Sequence, residues 1–509
     1  MESLEYLRLI RSVYDEVIDN FQTSVDKKIF EKIFSECVDV LLQNQNADYF
    51  QIFDAMSSDY LKSVDAISKL SPGFATGLKD IKYGITLNTY KGKMSDVPCD
   101  GDISGQTVFD ASSITKMFTA LLLLKEEEKG NIDLSKKFSD YSDLLSKIDV
   151  PIIDALKFGV NLKTDGRVDD FSLSSKERIR RLLNTSVINR NTFIYSDIPY
   201  MFVTLLFGDN LQNATEKYLK KFYELYRDEL GLLQTGYSTI NMTGGRIDTK
   251  IDSQNNRFIY VKDGVYDPKA NIFEKEIGYV SGHAGVTTNV QDLEKIFDYL
   301  SNGFLNDESF NKLITTVQPE SKILLDENDR PVLSNGKPIY LEHAMGVYVN
   351  TGSVEISDVP ARYSDRAFAA VGSTGTYSVF DLDNGLNAIF LSNVRSGLYS
   401  KIINTEDYVY GYKSDELSRY YETTVRSGTG TFKDGSLLKK DGTFMPYTMV
   451  TNNFKEESLD ALLKLRIAKE VLIKSAYLEY SGEELCVALE HIDQAFNRND
   501  NVKIKKYQK

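Results

Sequence analysis

Two residues three apart, Ser113 and Lys116, stand at the head of the run "FDASSITKMFTALLLL" (109–124). A serine hydroxyl is a poor nucleophile at neutral pH and needs a base beside it. A lysine amine stripped of water loses affinity for its proton and can serve as that base. Positions three apart on a helix share a face about one turn apart, so the two groups would meet. The positive end of the helix would also favour negative charge growing on Ser113. The chemistry open to such a pair is acyl transfer through a serine ester. The spacing alone is common, and two polar residues at a helix start remain the other reading.

The surrounding residues say what must position the pair. "GQTVF" (105–109) reads as a short strand, Asp110 or Ser112 as a helix cap, and Gly130 as the stop. "MFTALLLL" is apolar on every side, so the helix should be central and dry, an environment expected to depress the proton affinity of Lys116.

Composition narrows the alternatives. The 509 residues carry a formal net charge of −14, with 42% hydrophobic and 26% charged residues. That balance is globular, and it argues against a nucleic-acid or anionic-membrane partner, either of which needs a basic surface. Three scattered cysteines form no CxxC pair, and the three histidines (His283, His343, His491) are too few for a histidine metal cluster. No metal and no organic cofactor is expected. No segment approaches the roughly 20 apolar residues of a membrane span, and no signal peptide is visible, so a cytoplasmic location is expected.

"TVFDASSITKMFTALLLLKEEEKGNIDL" (107–134) resembles the active-site helix of the serine beta-lactamase and penicillin-binding-protein superfamily. The resemblance is to the class C-like branch, which also holds esterases, D-aminopeptidases and acyltransferases. It implies an α+β fold: an antiparallel sheet flanked by helices, an all-helical lobe, and Ser113 in the cleft between. The family's second box, Tyr-x-Asn, is matched by Tyr195-Ser196-Asp197, about eighty residues on, with Asp197 in place of the asparagine. By resemblance Tyr195 exchanges a proton with Ser113; by itself it is one of 31 tyrosines and reads as a packed aromatic. "GVYDPKANIFEKEIGYVSGHAGVTTNVQDLEKI" (264–296) also resembles a branch of the family. His283 in it either borders the site or fixes its glycine-rich turn by a hydrogen bond, the second being the plainer reading.

The third box departs from the pattern. Lys-Thr-Gly or His-Thr-Gly is expected, and "FAAVGSTGTYSVFD" offers Ala370-Val371-Gly372, or in another register Ser373-Thr374-Gly375. Either way the basic side chain is missing, which puts beta-lactam and D-Ala-D-Ala recognition in doubt. The oxyanion hole needs only backbone amides, by resemblance those of Ser113 and Ser373 beside Gly372.

Three segments are expected: helical residues 1–75, a serine-hydrolase domain over 76–430 with a helical lobe inserted at roughly 135–345, and a helical extension over 431–509. Leu4, Leu7, Tyr14, Val17 and Phe21 mark the first amphipathic face. Leu459, Leu462, Leu463, Ile467, Val471 and Leu478 mark the last. Residues 368–393 read as two strands about the turn Asp383-Asn384-Gly385. The turn-rich "KDGS" and "KDGT" and the tail "NVKIKKYQK" complete the extension. The expected partner is a small-molecule or peptide acyl substrate, acted on by an esterase, amidase or acyltransferase. A weakened member acting as a binding or scaffold protein is the alternative; the terminal helices are expected to pack onto the catalytic domain, with a homodimer surface as the less favoured reading.

Overall fold

The computed structural model describes residues 3–68, 73–94, 102–170, 172–237, 249–252, 258–261, 265–334, 336–352, 358–392 and 447–499, with four short strands between 403 and 445. "KDGS", "KDGT", the tail 501–509 and the boundary at 430/431 lie outside the described residues.

Four helices open the chain: α1 (Ser3–Asp19), α2 (Glu31–Gln43), α3 (Tyr49–Met56) and α4 (Ser58–Ser68). Tyr6, Ile10, Val13, Tyr14, Val17 and Ile18 of α1 are buried, the spacing of a single helical face. Leu4, which the sequence puts on that face, is exposed.

The hairpin β1 (Gly73–Asp80) and β2 (Ile85–Gly92) begins the main sheet. After a long excursion the chain adds β3 (Tyr348–Val349), β4 (Phe368–Gly372), β5 (Thr376–Asp381) and β6 (Leu386–Ser392), then β7 (Asn497–Asn499). The order is β3-β4-β5-β6-β1-β2-β7, antiparallel throughout except that β7 runs parallel to β2. The segment 368–393 thus makes three strands, not two. Gly375, at φ +83°, donates its N–H to the Gly372 carbonyl and folds Ser373-Thr374-Gly375 into a tight turn.

The sheet is buried on both faces, and the two-residue period of its strands shows it. Leu386, Ala388 and Phe390 join one core, Ile389 and Leu391 the other. The second core holds α5 (Thr115–Glu128), α6 (Ile198–Val203) and α8 (Val290–Ser301); α7 (Pro268–Ile272) lies between the last two in the chain. The first core is supplied by α1 to α4, the long α9 (Tyr447–Glu479) and α10 (Gly482–Phe496). This is the α+β architecture implied by the resemblance. The lobe, helical in its main mass, also carries the ribbon Val160–Lys163 with Ser186–Arg190. Among the described residues no helix is long and apolar enough to cross a membrane.

Leu459, Leu462, Leu463, Ile467 and Val471 of α9 are fully buried, whereas Leu478 is exposed. Buried beside that apolar face, Arg466 donates to the Asp80 carboxylate at 2.7 Å and to the Asn384 carbonyl at 2.8 Å. Their side chains are 3% and 0% exposed. Asp80 also accepts the N–H groups of Lys82 and Tyr83, so α9 is tied to both hairpin turns at one end of the sheet. Removing one partner of a buried pair strands the other charge and costs about 3–5 kcal/mol. Arg466→Met should lose that much stability in equilibrium urea unfolding; a loss below about 1 kcal/mol, the range of exposed pairs, would show that the pair does not fasten the helix.

Candidate active site

Strand Phe109–Asp110 pairs with Thr287–Thr288 and leads into a tight turn, Ser112–Ile114, that runs on into α5. Asp110 organises this turn: one carboxylate oxygen accepts the Ser112 N–H at 2.8 Å, the other the Tyr266 N–H at 2.6 Å. The Thr374 hydroxyl donates to the Asp110 carbonyl at 2.7 Å, and the Ser112 and Ser373 hydroxyls meet at 2.8 Å. Ser112 sits at φ +47°, a left-handed conformation that costs an L-residue about 1–2 kcal/mol. The reversal leaves Ser113 half-buried between buried Ser112 and Ile114. Behind it every residue from Met117 to Leu124 is buried.

Three residues that the sequence singles out from distant places converge here. The Lys116 ammonium donates to Ser113 Oγ at 2.9 Å and to the His283 carbonyl at 3.2 Å. The Tyr195 hydroxyl donates to Ser113 Oγ at 3.0 Å. Its ring stacks on Phe158 with centroids 4.9 Å apart and leans on His343 at 5.0 Å. Lys116 Nζ lies 5.0 Å from the same ring's centroid. The loop before β3 closes down on α5 through Gly346, at φ +74°, where a Cβ would sit 2.7 Å from the Lys116 carbonyl oxygen. Only glycine allows that approach.

The electrostatics differ from expectation in one respect. Burial alone lowers the proton affinity of Lys116, as the apolar run suggests. The Asp197 carboxylate, 2.8 Å from its Nζ, and then the Tyr195 phenol outweigh burial, and the net shift is upward. Lys116 therefore holds its proton at neutral pH. Asp197 is desolvated too, yet Lys116, Lys269 and His283 hold it well below the usual carboxylate range. Its second oxygen lies 2.7 Å from Lys269 Nζ, which stands 3.7 Å from Asp267. Asp197, Asp267 and His283 each bring one potential ligand atom within 4.8 Å of the others. The Lys269 ammonium already supplies positive charge to that cluster.

His283 sits in the glycine-rich turn beside Lys116. Its buried ring bridges the Ser281 hydroxyl at 2.6 Å and Asp267 at 2.9 Å, fixing the glycine-rich turn, while its carbonyl touches Lys116. Gly372 ends β4 against the Ser112–Ile114 turn: a Cβ there would overlap Thr376 Oγ1 and the Ala111 carbonyl. Ser373 follows, exposed at the tip of the turn. Phe158, His343 and Lys269 were not among the site residues expected. Lys269 had a signal, since an aspartate at the asparagine position calls for a second cation. His343 had none; burial pushes its imidazole down to about 3, so the ring is neutral beside Tyr195.

The Beta-lactamase family model matches residues 82–406, more than half of the chain. Two proteins named "Putative D-alanyl-D-alanine carboxypeptidase" are similar in sequence. The one from Salmonella gallinarum is 24% identical over 320 residues, 56% of this chain and 69% of that protein. The one from Escherichia coli K12 is 24% identical over 326 residues, with the same coverage of 56% and 69%. Among solved structures, EstCE1, "a hydrolase with promiscuous acyltransferase activity", is similar with TM-score 0.47 and 15% identity, over 66% of this chain and 94% of that one. A class C beta-lactamase is similar with TM-score 0.47 and 14% identity, over 75% and 98%. Simvastatin synthase from Aspergillus terreus is similar with TM-score 0.48 and 15% identity, over 70% and 91%. With the family model spanning Ser113, Tyr195 and β4, the chain belongs to the beta-lactamase family of serine hydrolases.

Proposed function

We propose that the protein is an acyl-serine enzyme acting on an ester or amide of a small molecule or peptide, an esterase, amidase or acyltransferase rather than a true beta-lactamase. The observation that carries this reading is the convergence on Ser113 Oγ of Lys116 at 2.9 Å and Tyr195 at 3.0 Å. The Tyr195 phenol, which donates to Ser113 Oγ in the resting site, first releases its proton to solvent, and Ser113 Oγ then bonds to the substrate carbonyl carbon as its own proton passes to the Tyr195 phenolate oxygen. Negative charge on that oxygen would sit against the Lys116 ammonium, which keeps its own proton. The proton then goes to the departing alcohol or amine, and water or another acceptor breaks the acyl-serine bond. The backbone N–H groups of Ser113 and Ser373 are the oxyanion donors on this reading. No step calls on a metal or organic cofactor.

Ala370 supports the choice among acyl substrates. A family enzyme that grips a peptide's terminal carboxylate would use a basic side chain there, so the carboxypeptidase names of the two relatives do not transfer on this evidence. The second reading, a weakened member acting as a binding or scaffold protein, is favoured by the Asp197 carboxylate, which holds Lys116 in an ion pair. Intact mass after treatment with a broad acylating reagent separates the two, because a stable adduct on Ser113 excludes the scaffold.

Ser113→Ala should lose both p-nitrophenyl ester turnover and labelling by a fluorophosphonate probe, and labelling equal to wild type would overturn the assignment. Tyr195→Phe should slow acylation about 10²- to 10⁴-fold, the usual yield of a positioned acid–base group. Gly372→Ala should fold, yet lose about 100-fold in rate, because β4 must shift away from the nucleophile turn. An unchanged rate in that variant would show that β4 does not set the geometry at Ser113.

A further inference from the structure

We propose that Lys269 is a positioning residue for the reaction: by taking one oxygen of Asp197 it keeps that carboxylate from neutralising the Lys116 ammonium that faces Ser113 and Tyr195. The inference rests on the acyl-serine reading and deepens it.

The geometry is a chain of alternating charge. Asp197 divides its two oxygens between ammoniums, Oδ1 to Lys116 at 2.8 Å and Oδ2 to Lys269 at 2.7 Å. Lys269 is held in turn by Asp267 at 3.7 Å, and Asp267 by His283 Nε2 at 2.9 Å. Asp267 also accepts the Ala270 N–H at 2.9 Å, capping α7, so the carboxylate that steadies Lys269 is fixed by the backbone of the same helix. Lys116 is 2% exposed, against 25% for Lys269 and 22% for Asp197. Of the two ammoniums only Lys116 is shut away from solvent, and Asp197 is the carboxylate paired with it. Without the second ammonium, both oxygens of Asp197 would turn to Lys116, drawing it from Ser113 Oγ and weakening the positive field at the proton acceptor.

Asp169 acts on Lys269 from a distance and is held by Arg167 at 3.0 Å. Tyr195 is faced by Lys116, by the neutral ring of His343 and by the phenols of Tyr200 and Tyr348. Glu342 lies 3.7 Å from His343 Nδ1, and Asp358 acts on His343 and Tyr348.

The test is the rate of Ser113 labelling by a fluorophosphonate probe as a function of pH. It is measured for wild type, Lys269→Met, Lys269→Arg and Asp267→Asn, with melting temperatures to establish folding. Loss of a positive charge raises the pH at which a neighbouring acceptor works. Lys269→Met should therefore displace the acid limb upward by about one pH unit and slow labelling about tenfold near pH 7. Lys269→Arg should restore the limb, and Asp267→Asn, which removes a negative charge, should displace it downward. A merely structural role would reduce the labelled fraction equally at every pH, and a limb unmoved in Lys269→Met would overturn the proposal alone. Wild type that is not labelled at Ser113 would overturn the acyl-serine reading and the proposal with it.

Discussion

An ammonium in the dry interior persists only where anions and dipoles replace the water it has lost. Lys116 is such a group, and the shape of the cleft follows from satisfying it. The turn that leads into its helix supplies Ser113 Oγ. The glycine-rich turn supplies the His283 carbonyl, and that turn is fastened to α5 where Thr119 donates to the Gly282 carbonyl at 2.8 Å. The lobe supplies Asp197, from the loop that enters α6 with Pro199 in its first turn and Tyr200, Met201 and Phe202 buried behind it. Three separate parts of the chain are thus held to one charge. Drawing the lobe away from α5 would leave that charge unpaired, so the same contact closes the cleft and stabilises the protein.

The strand side of the cleft depends on elements far from the chemistry. β4 reaches Ser112 only because β5 and β6 hold it in register, and one face of those strands is covered by α1 to α4, α9 and α10. Phe390 packs on Phe454 of α9 and on Phe74 of β1, so the terminal helices set the level at which the sheet lies. The helices at both ends of the chain are one wall of a single core, and the Arg466–Asp80 pair pins that wall to the sheet.

Much of this was readable from residue types. The four-leucine run announced a central helix because no solvated face needs four adjacent leucines, and the fold followed from the resemblance carried by that helix. Tyr195 was readable only through the resemblance, since nothing local distinguishes it from a packed ring. The break at Ser373-Thr374-Gly375 was missed because β-formers continue on both sides of it, and only the positive φ of Gly375 reverses the chain. The charge state of Lys116 was misjudged for a different reason. Burial, the one influence visible in the local sequence, acts in the expected direction, but Asp197 and Tyr195 arrive from the lobe and outweigh it. Leu4 and Leu478 show the limit of helical periodicity, which finds an apolar face but not where its cover ends.

The distribution of charge bears on what the cleft can accept. Two ammoniums, Lys116 and Lys269, face two carboxylates, Asp197 and Asp267, so the cluster is balanced within itself. Both cations are engaged with protein anions, while β4 carries Ala370 where the resemblance expects a basic side chain. Among the described residues, Ala370 and Gly372 of β4 bring no charge to replace the hydration of an anionic substrate, and desolvating an unpaired carboxylate is costly. A neutral ester or amide carries no such penalty and needs only hydrogen bonds from the strand and donors for its carbonyl oxygen. On the acyl-serine reading proposed above, the aspartate in the second box and the alanine in the third belong together: one keeps the Lys116 charge occupied inside the protein, and the other leaves β4 without a basic side chain for a substrate to meet.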